Sequence, residues 1–168
     1  MILASALYFD RTFQRPAVKI QQGQLLVTAE DLLITTVLGS CVSVCVRDRV
    51  RGLGGMNHFM LPGEKTGDHS PRYGEPAMDQ LLDRYLEAGG RVEHLEVKVF
   101  GAGRINRSLP DVGKKNVEFA LAYLKRHKLA LAALDVGDTF PRKVCFSPRC
   151  GRVFVKTLRN IHQEGFGP

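Results

Sequence analysis

The sequence predicts an α+β protein, because strand-like segments dominate its early and late parts and two helical segments lie between them. Short apolar runs with alternating polarity, separated by Gly, Pro and polar residues, indicate the strands. Apolar residues spaced three and four apart indicate the helices. The chain has 168 residues, of which 44% are hydrophobic and 24% charged, which fits one globular domain with a substantial core.

The domain is predicted to span residues 18–158. Residues 1–17 are expected to be an irregular N-terminal extension, and residues 159–168 a polar tail. The apolar start is not interpreted as a signal peptide, because no positive region precedes it and Asp10-Arg11 ends it early. Apolar runs at 18–20 and 32–36 predict strands, and residues 25–27 form a shorter apolar run between them.

A hairpin at residues 41–61 is the centre of the sequence. Its first strand alternates between a face with Val42, Val44 and Val46 and a face with Cys41, Ser43 and Cys45. If Arg49 and Val50 form a two-residue loop, Cys41 lies opposite His58, with Cβ atoms roughly 4.5–5.5 Å apart. At that distance a thiol and an imidazole can share a proton. A longer loop or a bulge would shift this register, and a hairpin with a free Cys and a satisfied His is the structural alternative.

The residues just before Cys41 favour a nucleophile over a buried thiol. Gly39-Ser40 allows the backbone to turn sharply and to present N–H groups beside the sulfur. Thr35 and Thr36 supply hydroxyl groups close upstream. Asn57, next to His58, is expected to bind backbone rather than to transfer protons.

The remaining elements follow in order. A loop at 62–73 lies beside the proposed site, and its His69 is expected to be exposed. Pro76 begins a helix predicted over 76–88. A second helix is predicted over 112–128, with an inward face of Val117, Ala120, Leu121 and Leu124. Strands are expected at 95–100, 130–136, 143–147 and 152–158. The Gly-x-Gly after the first of them is not a dinucleotide motif, because Asn106 occupies the third glycine position.

Composition limits the function classes. Four cysteines in a chain of this length, without a secretion signal, favour reduced thiols in the cytoplasm. Their Cys-x3-Cys and Cys-x4-Cys spacing is looser than usual zinc knuckles, so neither a metal nor a cofactor is expected. The net charge of +7 is scattered and lacks a nucleic-acid motif, so an acidic protein partner is favoured over nucleic acid. No stretch is long and apolar enough for membrane insertion.

Several segments together resemble the CheD family of chemoreceptor glutamine deamidases. They cover most of residues 25–158 and occur in the same order: LGSCV (38–42), GGMNHFMLP (54–62), YGEPAM (73–78), LEVKVFGAG (95–103), VGKKNVEFALAYL (112–124), DVG (135–137) and RKVCFSPRCGRVFVKTL (142–158). The resemblance implies a sandwich-like core of mixed sheets flanked by helices. It also implies a cytoplasmic enzyme that converts receptor glutamines to glutamates and hydrolyses glutamate methyl esters.

The resemblance implies a catalytic set of Cys41, His58 and Thr35. Thr35 lies six residues before Cys41 and would orient the imidazole, and the neighbouring Thr36 stays open as an alternative. Backbone N–H groups around Ser40 would hold the oxyanion. The turn from Phe100 to Arg104 departs from the family pattern in its Ala-Gly-Arg sequence.

Partners follow from the same resemblance. Cytoplasmic domains of chemoreceptors are the expected substrates, and the phosphatase CheC is the expected second partner. Both are predicted to bind a groove walled by the 62–73 loop and by Phe100, Gly101, Ala102 and Gly103. The alternative functions are a non-catalytic module that regulates CheC, and a cysteine protease.

Overall fold

The computed structural model describes residues 6–64 and 66–159. Ten strands in these ranges form two sheets of five strands each. The first sheet has the order β1-β2-β4-β9-β10, with β1 Leu7–Asp10, β2 Arg15–Lys19, β4 Leu33–Leu38, β9 Arg142–Phe146 and β10 Val153–Thr157. The second has the order β3-β6-β5-β7-β8, with β3 Leu25–Thr28, β6 Leu53–Asn57, β5 Val42–Asp48, β7 Leu95–Gly101 and β8 Leu131–Val136.

Both sheets are mixed, since β2 pairs in parallel with β4 and β7 with β8, whereas the other pairs are antiparallel. Two helices, α1 (Gly74–Glu87) and α2 (Val112–Arg126), pack on the second sheet. One buried cluster lies between the sheets and another between the second sheet and the helices. The prediction of an α+β sandwich-like core with flanking helices is confirmed.

The strand β5 is central in the second sheet, and it contributes to both cores. Val42, Val44 and Val46 lie in the core under the helices, whereas Cys41 and Cys45 lie in the core between the sheets. This is the alternation that the sequence predicts, because successive side chains of a strand point to opposite faces. Cys41, which immediately precedes β5, therefore lies on the inner face of the second sheet, against the first sheet.

The predicted hairpin register is wrong by two residues. Asp48 pairs with Leu53 and Cys45 with Met56, so the loop has four residues, 49–52, rather than two. The carboxylate of Asp48 accepts the N–H groups of residues 50 and 51, and Gly52 closes the loop with a φ of 66°. The side-chain cap and the left-handed glycine therefore stabilise a wider turn, and Cys41 is no longer directly opposite His58.

The N-terminal stretch is not irregular, in contrast to the prediction. Residues 7–10 and 15–19 form β1 and β2, an antiparallel pair at the edge of the first sheet. The strand β2 then pairs with β4, the strand that leads into Cys41. Residues 1–5 and most of the predicted tail, 160–168, lie outside the described residues.

The helices lie close to their predicted positions. The helix α1 begins at Gly74, two residues before Pro76, and a Cβ at Gly74 would collide with the ring of Phe119. The helix α2 begins after Asp111, whose side chain accepts the N–H of Lys114. Its buried face is rotated from the predicted one and comprises Gly113, Asn116, Ala120, Tyr123 and Leu124.

Candidate active site

The turn at residues 39–41 carries the chain from β4 in the first sheet to β5 in the second. Two backbone hydrogen bonds hold it against the end of β7. The N–H of Gly103 donates to the carbonyl oxygen of Gly39 at 2.9 Å, and the N–H of Ala102 donates to that of Cys41 at 2.8 Å. The backbone carrying the Cys41 thiol is therefore fixed on both sides of the sulfur-bearing residue.

The side chain of Asn116 completes this attachment from α2. Its amide nitrogen donates to the carbonyl oxygen of Ser40 and to that of Met60, each at 2.9 Å. By contrast, no hydrogen bond outside the strand ladders, among the described residues, uses the N–H of Ser40 or Cys41. These two N–H groups remain available for a ligand.

The predicted groove residues contribute backbone rather than side chains. A Cβ at Gly101, where φ is 113°, would collide with the carbonyl oxygen of Cys41. Phe100 is 4% exposed and packs in the core between the sheets, so it is a core residue at the end of β7 rather than a surface contact. Ala102 is 3% exposed and lies against Gly113 of α2. A partner therefore cannot contact the side chains of Phe100 and Ala102 as the sequence analysis expects.

The ring of His58 is oriented by Thr36. His58 Nδ1 and Thr36 Oγ1 are 2.8 Å apart, and Thr36 Oγ1 also donates to the carbonyl oxygen of Ile20 at 2.8 Å. A hydroxyl has one proton, and a carbonyl can only accept, so the Thr36 proton is committed to Ile20. His58 Nδ1 must therefore carry the proton of the neutral ring, and Nε2 presents its lone pair.

Thr35 does not contact the imidazole, so the expectation that it orients His58 is wrong and the open alternative, Thr36, is the one in contact. The hydroxyl of Thr35 lies 2.9 Å from that of Tyr8 in β1. Strand parity explains the difference. Thr36 shares a face of β4 with Ile34 and Leu38, which pack in the core between the sheets.

Cys41 and His58 share the inner face of the second sheet. Val42 and Phe59 form a bridge pair, so Cys41 lies opposite Met60 and diagonal to His58. Among the described residues no hydrogen bond joins Sγ of Cys41 to the ring, and His58 Nε2 is buried without a partner. Catalytic hydrogen bonds are often long in a free enzyme and shorten when substrate binds.

Burial keeps both groups uncharged. It lowers the pKa of His58 to about 4. It raises the pKa of the Cys41 thiol to about 11, although the amide of Gln22, which donates to Sγ at 3.9 Å, opposes the rise. At neutral pH the resting site therefore holds a thiol and a neutral imidazole rather than an ion pair.

Two surface depressions flank the turn. One of about 410 Å³ is lined by His58, Thr36, Gln22 and Arg72, the last from the 62–73 loop. The other, of about 250 Å³, is lined by Ser40, Gly103 and the exposed apolar side chains of Ile105 and Leu109. Each predicted wall contributes little to them: Arg72 is the one residue of the 62–73 loop that lines the first depression, and Gly103 is the one residue of 100–103 that lines the second.

Two other sequence predictions are confirmed by their contacts. Asn57 binds backbone, accepting the N–H of Val44 at 2.9 Å and donating to Ala77 of α1 at 3.3 Å. His69 is exposed. All four cysteines are free thiols, and the described residues contain no cluster of three side chains able to hold a metal.

Asn116 and Gln22 contact the Cys41 region but are not among the site residues predicted from the sequence. A signal existed for Asn116, since it lies between Gly113 and Ala120 at helical spacing and is the polar member of an otherwise apolar stripe. Gln22 is an exposed loop residue, and nothing in its local sequence indicates a contact with Cys41.

Comparison with known proteins shows which family this chain belongs to. The family model described as "CheD chemotactic sensory transduction" matches residues 60–157. The protein named "Probable chemoreceptor glutamine deamidase CheD" from Methylobacillus flagellatus is 46% identical, over 96% of this chain and 84% of its own length. Proteins of the same name from Herminiimonas arsenicoxydans and Janthinobacterium sp. are 47% and 48% identical, each over 96% of this chain and 83% of their own. The chain belongs to the CheD family.

Proposed function

We propose that this protein is a chemoreceptor glutamine deamidase, which converts glutamine side chains to glutamate and releases ammonia. One observation carries the proposal: Thr36 fixes the proton of His58 on Nδ1, and Nε2 stays unpartnered on the same sheet face as the thiol of Cys41. A base and a nucleophile in this arrangement support acyl transfer through a thioester. The relatives named as probable chemoreceptor glutamine deamidases support the same activity.

The first half of the reaction forms the thioester. His58 Nε2 takes the thiol proton as Cys41 Sγ attacks the side-chain amide carbon of the glutamine. The backbone N–H groups of Ser40 and Cys41, which have no backbone acceptor within residues 6–64 and 66–159, stabilise the developing oxyanion. His58 then returns the proton to the amide nitrogen, the carbon–nitrogen bond breaks, and ammonia leaves.

The second half releases glutamate. His58 Nε2 removes a proton from a water molecule, which attacks the thioester carbon, and the Cys41 sulfur leaves and regains the proton. The same steps hydrolyse a glutamate methyl ester with methanol as the leaving group. Because the resting site is neutral between the low pKa of His58 and the high pKa of Cys41, we expect a rate with no titration near neutral pH.

Binding is proposed to use the two depressions beside the turn. A glutamine on an exposed helix can reach Cys41 only through an open surface. The proposed approach is the depression lined by His58 and by Gln22, whose amide contacts Cys41 Sγ. The depression at Ser40, with Ile105 and Leu109 exposed, suits the apolar face of a partner helix such as one of CheC. The variant Ile105→Asp, which places a charge on this apolar surface, should weaken CheC binding. Val50→Asp, in the exposed loop after β5, is the control.

Mass spectrometry of a receptor cytoplasmic domain after incubation tests the activity directly. Wild type should convert specific glutamines to glutamates with matching ammonia release and without cleavage of the peptide chain. His58→Ala should lower kcat by about 10²–10⁴-fold, the usual value of a positioned base. Receptor that binds but keeps its amides would favour the regulatory binding module, and cleaved receptor would favour a protease.

A further inference from the structure

The amide of Asn116 is a buried polar group in the second turn of α2. Asn116 is fully buried, with 0% exposure, in the helix stripe that otherwise packs apolar atoms on the second sheet. Burying an amide without hydrogen bonds costs about 1–3 kcal/mol in proteins. Its position therefore needs an explanation other than packing.

Both protons of the amide group are used. They go to the carbonyl oxygens of Ser40 and Met60, which are 76 and 56 residues away in sequence. The orientation of the amide is fixed, because the reversed orientation would point Oδ1 at two other oxygen acceptors. In the present orientation Oδ1 is buried without a partner among the described residues, so part of the hydrogen-bonding capacity of the side chain stays unused.

The two acceptors lie on either side of the reactive pair. Ser40 immediately precedes Cys41, and Met60 lies opposite Cys41 and two residues after His58. A single amide group thus joins the turn that carries the thiol to the segment that carries the imidazole. The two segments meet α2 at one point, so a shift of either changes the geometry of the pair.

Because the peptide unit is planar, this contact also sets the direction of the neighbouring N–H group. The carbonyl of Ser40 and the N–H of Cys41 belong to one planar trans peptide unit and point in opposite directions. Because Asn116 binds the carbonyl, the N–H of Cys41 is directed away from α2. That N–H has no other backbone acceptor among the described residues and is one of the two proposed oxyanion donors.

We propose that Asn116 is a positioning residue of the deamidation reaction: it aims the Cys41 N–H at the oxyanion and sets the separation of Cys41 from His58. It touches no reacting atom and acts through the Ser40 peptide. This inference rests on the proposed function, and it adds a residue on α2 to a site otherwise built from the two sheets.

The first variant is Asn116→Leu, which keeps the branching at Cγ and the number of side-chain heavy atoms and removes both hydrogen bonds. Misplacement of reacting groups by about 1 Å costs about 10²-fold in rate, so kcat should fall by about that factor. The KM should stay near the wild-type value, because an interaction formed only in the transition state is lost. The control is Leu124→Ala, a buried residue of the same helix away from the turn, which should lower the unfolding free energy but keep kcat.

The second variant, Asn116→Asp, separates positioning from packing. A protonated carboxyl group can donate one hydrogen bond to Ser40 or Met60, whereas a carboxylate faces two oxygens and repels them. Burial raises the pKa of such a carboxyl group. We therefore expect kcat of this variant to recover at about pH 5 and to be lost at about pH 8, whereas wild type does not titrate in that range.

The wild-type result in the same assay distinguishes failure of the proposed function from failure of the positioning role of Asn116. Absence of ammonia release by wild type overturns the proposed function, and amide hydrogen exchange then tests the positioning: Asn116→Leu should exchange faster in the peptide that covers residues 38–42. Unchanged exchange there overturns the inference. So does an Asn116→Leu enzyme with the wild-type kcat, an equal loss in Leu124→Ala, or an Asn116→Asp enzyme without recovery at low pH.

Discussion

The two ends of β5 carry buried polar groups with opposite hydrogen-bonding states. At its last residue, Asp48 is fully buried and its carboxylate accepts from five donors: Val50 N, Arg51 N, Arg91 N, His94 Nδ1 and Tyr85 Oη. At its first end, His58 Nε2, Ser43 Oγ and Asn116 Oδ1 are buried without partners in the described part of the chain.

The contrast separates stability from chemistry within one strand. Burial alone would raise the pKa of Asp48, but the N–H groups of Arg51, Val50 and Arg91 outweigh it and bring the value to about 2. Around Cys41 and His58 few hydrogen bonds offset burial, so both groups stay neutral. A satisfied group holds the fold together, whereas an unsatisfied one retains capacity to bind a reacting atom.

Replacing the nucleophile should give the largest effect. Cys41→Ser should abolish ammonia release and leave the unfolding midpoint near that of wild type, because serine is close in size and the sulfur makes one weak hydrogen bond within the described residues, with Gln22. Cys150→Ser, at an exposed cysteine, is the matched control and should keep full activity. Two essential cysteines, or inactivation by a chelator, would return the metal alternative to consideration.

Acid should destabilise the two ends of β5 in different pH windows. His58 binds a proton more readily in the unfolded chain than in the folded protein. Its contribution to the unfolding free energy is therefore fully present above pH 6.5 and is lost as the pH falls toward about 4. The shift corresponds to an effect on the order of 3 kcal/mol. Asp48 contributes stability above pH 3.8 that is lost as pH falls toward about 2. Urea unfolding measured across this pH range should show no loss of stability between pH 6.5 and about 4 in His58→Gln. The same loss should persist in Asp48→Asn.

Removing the charge at Asp48 should weaken the fold while leaving the chemistry intact. Asp48→Asn exchanges an acceptor for a donor against buried N–H groups, so the unfolding free energy should fall by about 1–3 kcal/mol. The kcat, measured well below the unfolding temperature, should match that of wild type. A large fall in kcat without loss of stability would mean that the two ends of β5 are coupled.

The neighbouring threonines of β4 offer the smallest and most selective comparison. Thr36→Val removes the acceptor at His58 Nδ1, and we expect about a tenfold lower kcat, equivalent to a loss of about 1.4 kcal/mol. Thr35→Val removes the hydroxyl contact with Tyr8 and should stay close to wild type. The reverse ranking would restore Thr35 as the residue that orients the ring.

The sequence predicts the faces of the central strands well and their registers poorly. The period of two in β5 places Cys41 and Cys45 on the inner face from residue pattern alone. The hairpin register depends on the side chain of Asp48 and the conformation of Gly52, which that pattern does not report.

Contacts between the two sheets could not be predicted from the sequence, for a related reason. Both faces of β4 are apolar and buried, so the pattern does not tell which threonine points toward His58. Asn116 could be predicted as a buried polar residue, but its two acceptors are distant in sequence and are identified only by the folded structure.

The high pKa of Cys41 has a consequence for how this protein meets oxidants and thiol reagents. Such compounds react with thiolates, and a thiol with a pKa of about 11 and 7% exposure supplies few. Cys150 is exposed. Partial burial would raise its pKa, but the N–H of Arg152 and the nearby arginines lower it. Alkylation should therefore modify Cys150 first with activity retained. An inhibitor of this enzyme should carry an amide-like electrophile shaped for the site rather than a more reactive warhead.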